Sequence, residues 1–185
     1  MNVHEAMLTR RTVHLWKDKA LAEGVIERSL EAAHMAPCHR YTWPWRFYRC
    51  GPKTRGEVFD LAIELKRKGG PELPEKMQQK MIQKVKNPAE LIVVTLIHCD
   101  NDFTARENYA AASCAIQNMA LSIHGDGYAS KWSTGGITTH ARTYETLNID
   151  SQSEEIIGFI WVGVPEVIPS APERTPLEDH VHTLG

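Results

Sequence analysis

Arg10-Arg11-Thr12 places two guanidinium groups and a hydroxyl side by side near the start of a 185-residue chain. Guanidinium forks grip a phosphate with paired, charge-assisted hydrogen bonds, each worth about 1.5–3 kcal/mol, and a threonine hydroxyl adds a neutral donor. The competing reading is a solvated basic helix end, where cations complement the C-terminal dipole. A second segment, Ala36 to Phe47, reads as a helix stopped by Pro37, a polar and aromatic loop, then an aromatic strand from Trp45. A third, Lys131-Trp132-Ser133-Thr134-Gly135-Gly136, ends in glycines, which let backbone N–H groups come close to a ligand. Its competing reading is a Gly-Gly turn with Trp132 in the core. A phosphate anchor, a flat-walled loop and a close-approach backbone suit a planar, phosphorylated ligand.

Several chemistries lack their motifs. No G-x-G-x-x-G follows a strand, and Gly158 to Gly163 has no Gly-Lys-Ser/Thr, which argues against a Rossmann dehydrogenase and a P-loop NTPase. Gly-x-Ser-x-Gly is absent, which argues against a serine hydrolase. His180-x-His182 has metal-ligand character, but no second cluster has ligand spacing, so no metal is expected. Cys38, Cys50, Cys99 and Cys114 are scattered, without C-x-x-C spacing, and suit a reducing compartment. Cys50 and Cys114 are read as buried small apolar side chains. Cys38 and His39 are adjacent, and neighbouring residues rarely face each other.

A net charge of −2 gives no electrostatic case for nucleic acid or an anionic membrane. No apolar run approaches the ~20 residues of a membrane-spanning helix. Met1 to Arg10 lacks the apolar segment of a secretory signal, so the cytoplasm is the expected location.

The elements that must position these groups follow from periodicity. Helices are expected over Asn2–Thr9 (Val3, Ala6 and Met7 inward), Ala22–Met35, Lys53–Lys68, Glu75–Lys86, Ala105–Gly125 and His140–Leu147. In Glu75–Lys86 the stripe Lys76, Lys80, Lys84 reads as a solvated face; a cap that attracts nucleotide phosphates is the lesser alternative. Leu91–His98 and Ile156–Val164 are nearly continuous apolar runs, as in strands buried on both faces. Trp45–Cys50 and Tyr128–Trp132 are shorter strands. From Pro165 the chain carries four of its ten prolines in a dozen residues and should run extended. Helices and strands mix without strict βαβ alternation, which gives one α+β domain over 1–185 with 165–185 an extended C-terminal arm.

The three chemical segments also resemble the nitroreductase family of flavoenzymes, in its short-chain branch. Arg10-Arg11-Thr12, followed by Ala36-Pro37, His39, Thr42, Pro44-Trp45 and Phe47, is similar to the family's "RRS/T … AP-x-H-x-x-T-x-PW-x-F". The run from Glu107-Asn108-Tyr109 to Gly135 resembles "EDYAA … A-x-QNM-x-L … G-x-x-S-x-W-x-T-G", and Arg174-Thr175-Pro176-Leu177-Glu178 resembles a C-terminal "R-x-PLEE".

The resemblance implies a mixed sheet wrapped by helices, built as an intertwined homodimer with FMN at the subunit interface. It implies a phosphate held by Arg10, Arg11 and Thr12, with Arg174 returning to it. Met35 would lie against the flavin, and His39 would reach it across the interface. Lys131, Trp132, Ser133 and Gly135 would run past the flavin edge. The implied activity is reduction of a small acceptor, such as a nitroaromatic or quinone, with NADH or NADPH as transient donor. The flavin N5 carries that chemistry, and no side chain is expected to be catalytic. Trp43 departs from the family, where a polar residue commonly precedes Pro-Trp. The alternative function is a flavin-binding sensor, store or interaction protein, with Trp43 covering the open flavin face.

Overall fold

The computed structural model describes residues 1–185. Asn2 opens α1 (Val3–Thr9) with a reciprocal cap: its side chain accepts from the Glu5 N–H at 2.8 Å, and the Glu5 carboxylate accepts from the Asn2 N–H. The chain then runs extended into β1 (Trp16–Lys17), α2 (Val25–His34) and, past a 3-10 turn at His39–Tyr41, β2 (Trp45–Cys50). Proline occupies the first position of α3 (Pro52–Arg67), where its missing N–H is no loss. Next come α4 (Glu75–Met81), which continues into a π-helical turn at Ile82–Lys86, then β3 (Glu90–Ile97) and the long α5 (Asp102–Gly125). The order closes with β4 (Ala129–Ser133), α6 (Gly136–Thr139), α7 (Ala141–Leu147) and β5 (Glu154–Pro165).

Every strand pair is antiparallel: β2 with β3, β3 with β5, and β5 also with β4 and β1. A single parallel bridge, Thr12 to Ser130, ties the N-terminal segment to β4. The sheet separates two apolar clusters. On one side Ile26 and Ala33 of α2 and Ala112, Ile116 and Met119 of α5 meet Ile92, Val94 and Leu96 of β3. On the other, Val58 of α3, Val13 and Ile149 meet Leu91, Val93, Phe159 and Trp161. Leu91 to Leu96 are buried without a break, as the unbroken apolar run in the sequence requires. Each such leucine or isoleucine stabilises the fold by about 1.5–3 kcal/mol relative to exposure.

One irregularity shapes the site. Val94 pairs with Gly158 but Thr95 pairs with Ile156, so Ile157 is an extra residue on β5. The bulge reverses the in–out alternation: Ile156 and Phe159 join one cluster, Ile157 and Ile160 the other.

Four expectations change. Val3 and Met7 are exposed, because α1 rests on α5 with Ala6 as its one buried residue. Cys50 is buried, but Cys114 is exposed on the side of α5 that faces away from the sheet. Glu75–Lys86 is not one regular helix but an α-helix and a π turn. The two-residue β1 was not anticipated; its Trp16 is buried, and a Cβ at Gly163 of β5 would stand 3.1 Å from that ring. From Glu166 onward every residue is exposed, with only a short 3-10 turn at Leu177–His180. No helix is long and apolar enough to cross a membrane.

Candidate functional site

Arg10 is the C-cap of α1 and has left helical backbone geometry at φ −58°, ψ 134°. The extended chain beyond it is pinned where Val13, buried, donates its N–H to the Ser130 carbonyl. Arg10 and Thr12 thereby join Ser130, Trp132 and Thr134 of the β4 region in lining a cavity of about 420 Å³, which Gln117 of α5 closes. Three of these, Ser130, Thr134 and Gln117, were not singled out from sequence. The bridge between Thr12 and Ser130 is what brings them in, and strand alternation from Trp132 carries Ser130 and Thr134 to the same side.

The electrostatics of this cavity are one-signed. The Arg10 side chain has neither ion pair nor hydrogen bond, and burial, then Arg11, pushes its pKa below the usual guanidinium range. His124, one turn beyond Ala120 of the cavity wall, is pushed below the usual histidine range by burial and then by Arg10 and Arg11. Its Nε2 lies 2.8 Å from the Thr9 hydroxyl. That hydroxyl spends its one hydrogen on the Glu5 carbonyl at 2.7 Å, so the ring nitrogen is the donor. Half-buried cations without a counter-charge are what a phosphate dianion would offset.

Trp132 forms a fixed wall. Its indole N–H donates to the Ile157 carbonyl at 3.1 Å, at the bulge, and its ring lies against Gly158. Lys131 and Ser133 point to the opposite face of β4, where they line a different cavity. The Ser133 hydroxyl accepts from the Trp161 indole N–H at 2.9 Å and donates to the Phe159 carbonyl. Gly135 takes φ 122°, ψ −169°, a region open essentially to glycine alone, and turns the chain into α6.

The remaining sequence candidates do not reach this cavity within one chain. The Arg11 guanidinium donates to the Leu8 and Arg10 carbonyls, both at 2.8 Å, and so caps the end of α1. Met35 is 80% exposed at the end of α2. His39 lies 3.7 Å from the carboxylate of Glu107, two residues before Tyr109 of the cavity wall, but is not itself among the residues that line the cavity. Arg174 sits in the exposed arm without an ion pair or hydrogen bond. Met35, His39 and Arg174 thus do not line this cavity in the single chain.

The loop that carries His39 is strained. Arg40, Tyr41 and Trp43 all have positive φ, at 56°, 54° and 43°, which costs non-glycine residues of order 1–3 kcal/mol each. Its ties are the Thr42 hydroxyl, donating to Asn108 Oδ1 at 2.8 Å, and Trp43, whose ring centroid is 5.8 Å from that of His34, 5.6 Å from Tyr41 and 6.0 Å from Trp45.

The architecture is that of a known class of α+β proteins. The chain superposes on a nitroreductase-like protein from Bacillus cereus with a TM-score of 0.85 and 21% identity, covering 100% of this chain and 96% of that one. A Desulfovibrio desulfuricans protein described as a "putative nitroreductase in complex with fmn" matches at a TM-score of 0.78 and 21% identity, over 100% and 98% of the two chains. At the level of sequence, the model of the nitroreductase family matches residues 7–164, and the chain belongs to that family. A curated relative, the Bacillus subtilis protein named "Putative NAD(P)H nitroreductase YfhC", is 25% identical over 178 residues, 96% of this chain and 91% of its own.

Proposed function

We propose that this protein is an FMN-dependent oxidoreductase that uses NADH or NADPH to reduce a small acceptor such as a nitroaromatic or quinone. The observation that carries the reading is Arg10: a half-buried guanidinium without a counter-charge, beside Thr12 and above the fixed Trp132 wall, in a chain of the nitroreductase family. Relatives named as NAD(P)H nitroreductases and a fold neighbour named as an NADPH:FMN oxidoreductase support the donor and the cofactor.

In this reading Arg10 and Thr12 hold the FMN phosphate, and His124 fixes the Thr9 turn that precedes them. Trp132 gives the cofactor an immobile apolar wall, and the glycine at 135 lets the Thr134–Gly136 backbone come close to its edge. The chemistry FMN supplies when bound is hydride transfer, taken from NAD(P)H and passed to the acceptor. Met35, His39 and Arg174, none of which lines the cavity of its own chain, act from a second copy of the chain in a homodimer. The four free cysteines suit a cytoplasmic enzyme.

The deciding experiment is reconstitution with FMN, desalting, and anaerobic addition of NADH or NADPH. Retained flavin absorbance that bleaches with donor supports the reading. A colourless protein would sink it, and retained flavin that never bleaches would leave a binding protein instead.

A further inference from the structure

The cavity beside Arg10 has two unlike ends. Thr9, next to Arg10, meets His124, so the end of α1 reaches α5 close to Ala120 of the cavity wall. Tyr109 lines the same cavity eleven positions earlier on α5, about 16 Å away at 1.5 Å per residue. Past the end of α5 the chain doubles back, so β4 carries Ser130 beside Thr12 and Thr134 farther on. A phosphate held at Arg10 therefore leaves the rest of its ligand to extend toward Trp132, Thr134 and Tyr109.

Tyr109 is the one proton donor of useful acidity in that cavity. No aspartate, glutamate, histidine, lysine or cysteine lines it. A guanidinium is not deprotonated in proteins, and the alcohols of Thr12, Ser130 and Thr134 and the amide of Gln117 hold their protons more tightly than a phenol does. The Trp132 indole N–H is already engaged with the Ile157 carbonyl. Tyr109 is half-exposed, and its hydroxyl has no hydrogen-bond partner in the chain, which leaves its proton free for a ligand. The helical turn that carries it is held in place, because the buried Asn108 accepts from the Thr42 hydroxyl at 2.8 Å.

Tyr109 also lines a second cavity, of about 290 Å³, whose wall includes His98, Asp100 and Glu155. His98 donates through Nδ1 to the Gln152 carbonyl at 3.0 Å, which leaves its Nε2 to exchange protons with water. The phenol thus borders the Arg10 cavity and a polar chamber whose groups carry protons.

We propose that Tyr109 is a catalytic residue that donates a proton to the acceptor and recovers it from the chamber at His98 and Glu155. This role rests on the oxidoreductase reading above. A quinone becomes a quinol by gaining a hydride from the reduced cofactor and one further proton. The Tyr109 O–H bond breaks, a new O–H bond forms on the quinone oxygen, and the electron pair stays on the phenolate. Water in the second cavity then returns a proton to the phenolate.

The test compares oxidants that differ in their need for a proton, in FMN-reconstituted wild type and Tyr109→Phe. Stopped-flow re-oxidation of the reduced protein by benzoquinone should slow by about a hundredfold in the variant. Re-oxidation by ferricyanide, which takes electrons and no proton, should keep its rate, as should reduction by NADH, which needs a hydride alone. A second readout requires no turnover. In protein labelled with carbon-13 at the tyrosine Cζ, the resonance missing from Tyr109→Phe should shift when FMN is added. Equal slowing with both oxidants would make Tyr109 a packing residue, and an unchanged benzoquinone rate would leave the proton to solvent. Either result overturns the proposal, as does a Tyr109 resonance that does not respond to bound FMN. A protein that takes up no FMN would instead sink the oxidoreductase reading itself.

Discussion

Trp132 lies against Gly158 so closely that a Cβ added at Gly158 would stand 2.0 Å from the indole nitrogen and 2.4 Å from Cδ1. The strand bulge and the ring are therefore one device. The extra residue Ile157 presents its carbonyl to the indole N–H, and the bare glycine next to it leaves room for the ring.

Gly158→Ala should displace that ring. Overpacking of this kind costs about 1–3 kcal/mol, and FMN affinity should fall as the wall moves. Urea denaturation and flavin titration check the two effects. Adding Trp132→Leu should recover part of the stability, and no loss of either property in the alanine variant would mean that the ring is not fixed.

Arg10→Ala should weaken FMN binding by about one to two powers of ten, the loss of a charge-assisted phosphate contact. Lys80→Ala, on an exposed helix face, should leave it unchanged. Flavin fluorescence titration reads both, and equal affinity in wild type and Arg10→Ala would return this arginine to the solvated surface.

Burial raises the Cys50 thiol from 9.0 to about 11. Between those values the folded chain keeps a proton that the unfolded chain has released, so stability should fall as pH rises through that window. The loss is a few kcal/mol at most, at about 1.4 kcal/mol per unit. Cys50→Ala should flatten the fall in denaturation midpoint between about pH 9 and pH 11. In the native protein at neutral pH, a thiol reagent should label exposed Cys114 and spare Cys50.

Val167, Ile168, Leu177 and Val181 leave apolar surface exposed along the arm, which has no packing on its own chain. Removing Pro169–Gly185 should lower both dimer stability and flavin occupancy. Sedimentation with absorbance detection measures the two together; a monomer that keeps full FMN would contradict the homodimer and the role given to Arg174.

Donor and acceptor should exclude each other if both use one face of one cofactor. Initial rates against NAD(P)H at several acceptor concentrations should then give parallel double-reciprocal lines. Intersecting lines would require both ligands to be bound at once.

Much of the fold was written locally. Leu91–Leu96 can only be a strand with both faces covered, the 3.6-residue spacing of Val25, Ile26, Ser29 and Ala33 makes one buried helix face, and Pro37 and Pro52 mark an end and a start. Arg10 and Thr12 stood out by residue type and proximity, and the structure brings both to one cavity.

What tertiary structure decided is which side chains share a space. Lys131, Trp132 and Ser133 read as one contact run, but a strand sends alternate residues to opposite faces, so Trp132 meets Arg10's cavity and its neighbours meet another. One inserted residue in β5 reverses which of its side chains face which helices. Lys84 lines a cavity with Lys131, which is 47 positions away, while Lys76 and Lys80 of the same stripe stay in solvent. Cys114 and Cys50 have the same chemistry and opposite burial, because a helix that covers a sheet leaves its other side bare. Residue type and spacing carry propensity and charge. Pairing register decides the company each residue keeps, and it is fixed only when distant strands compete for the same core.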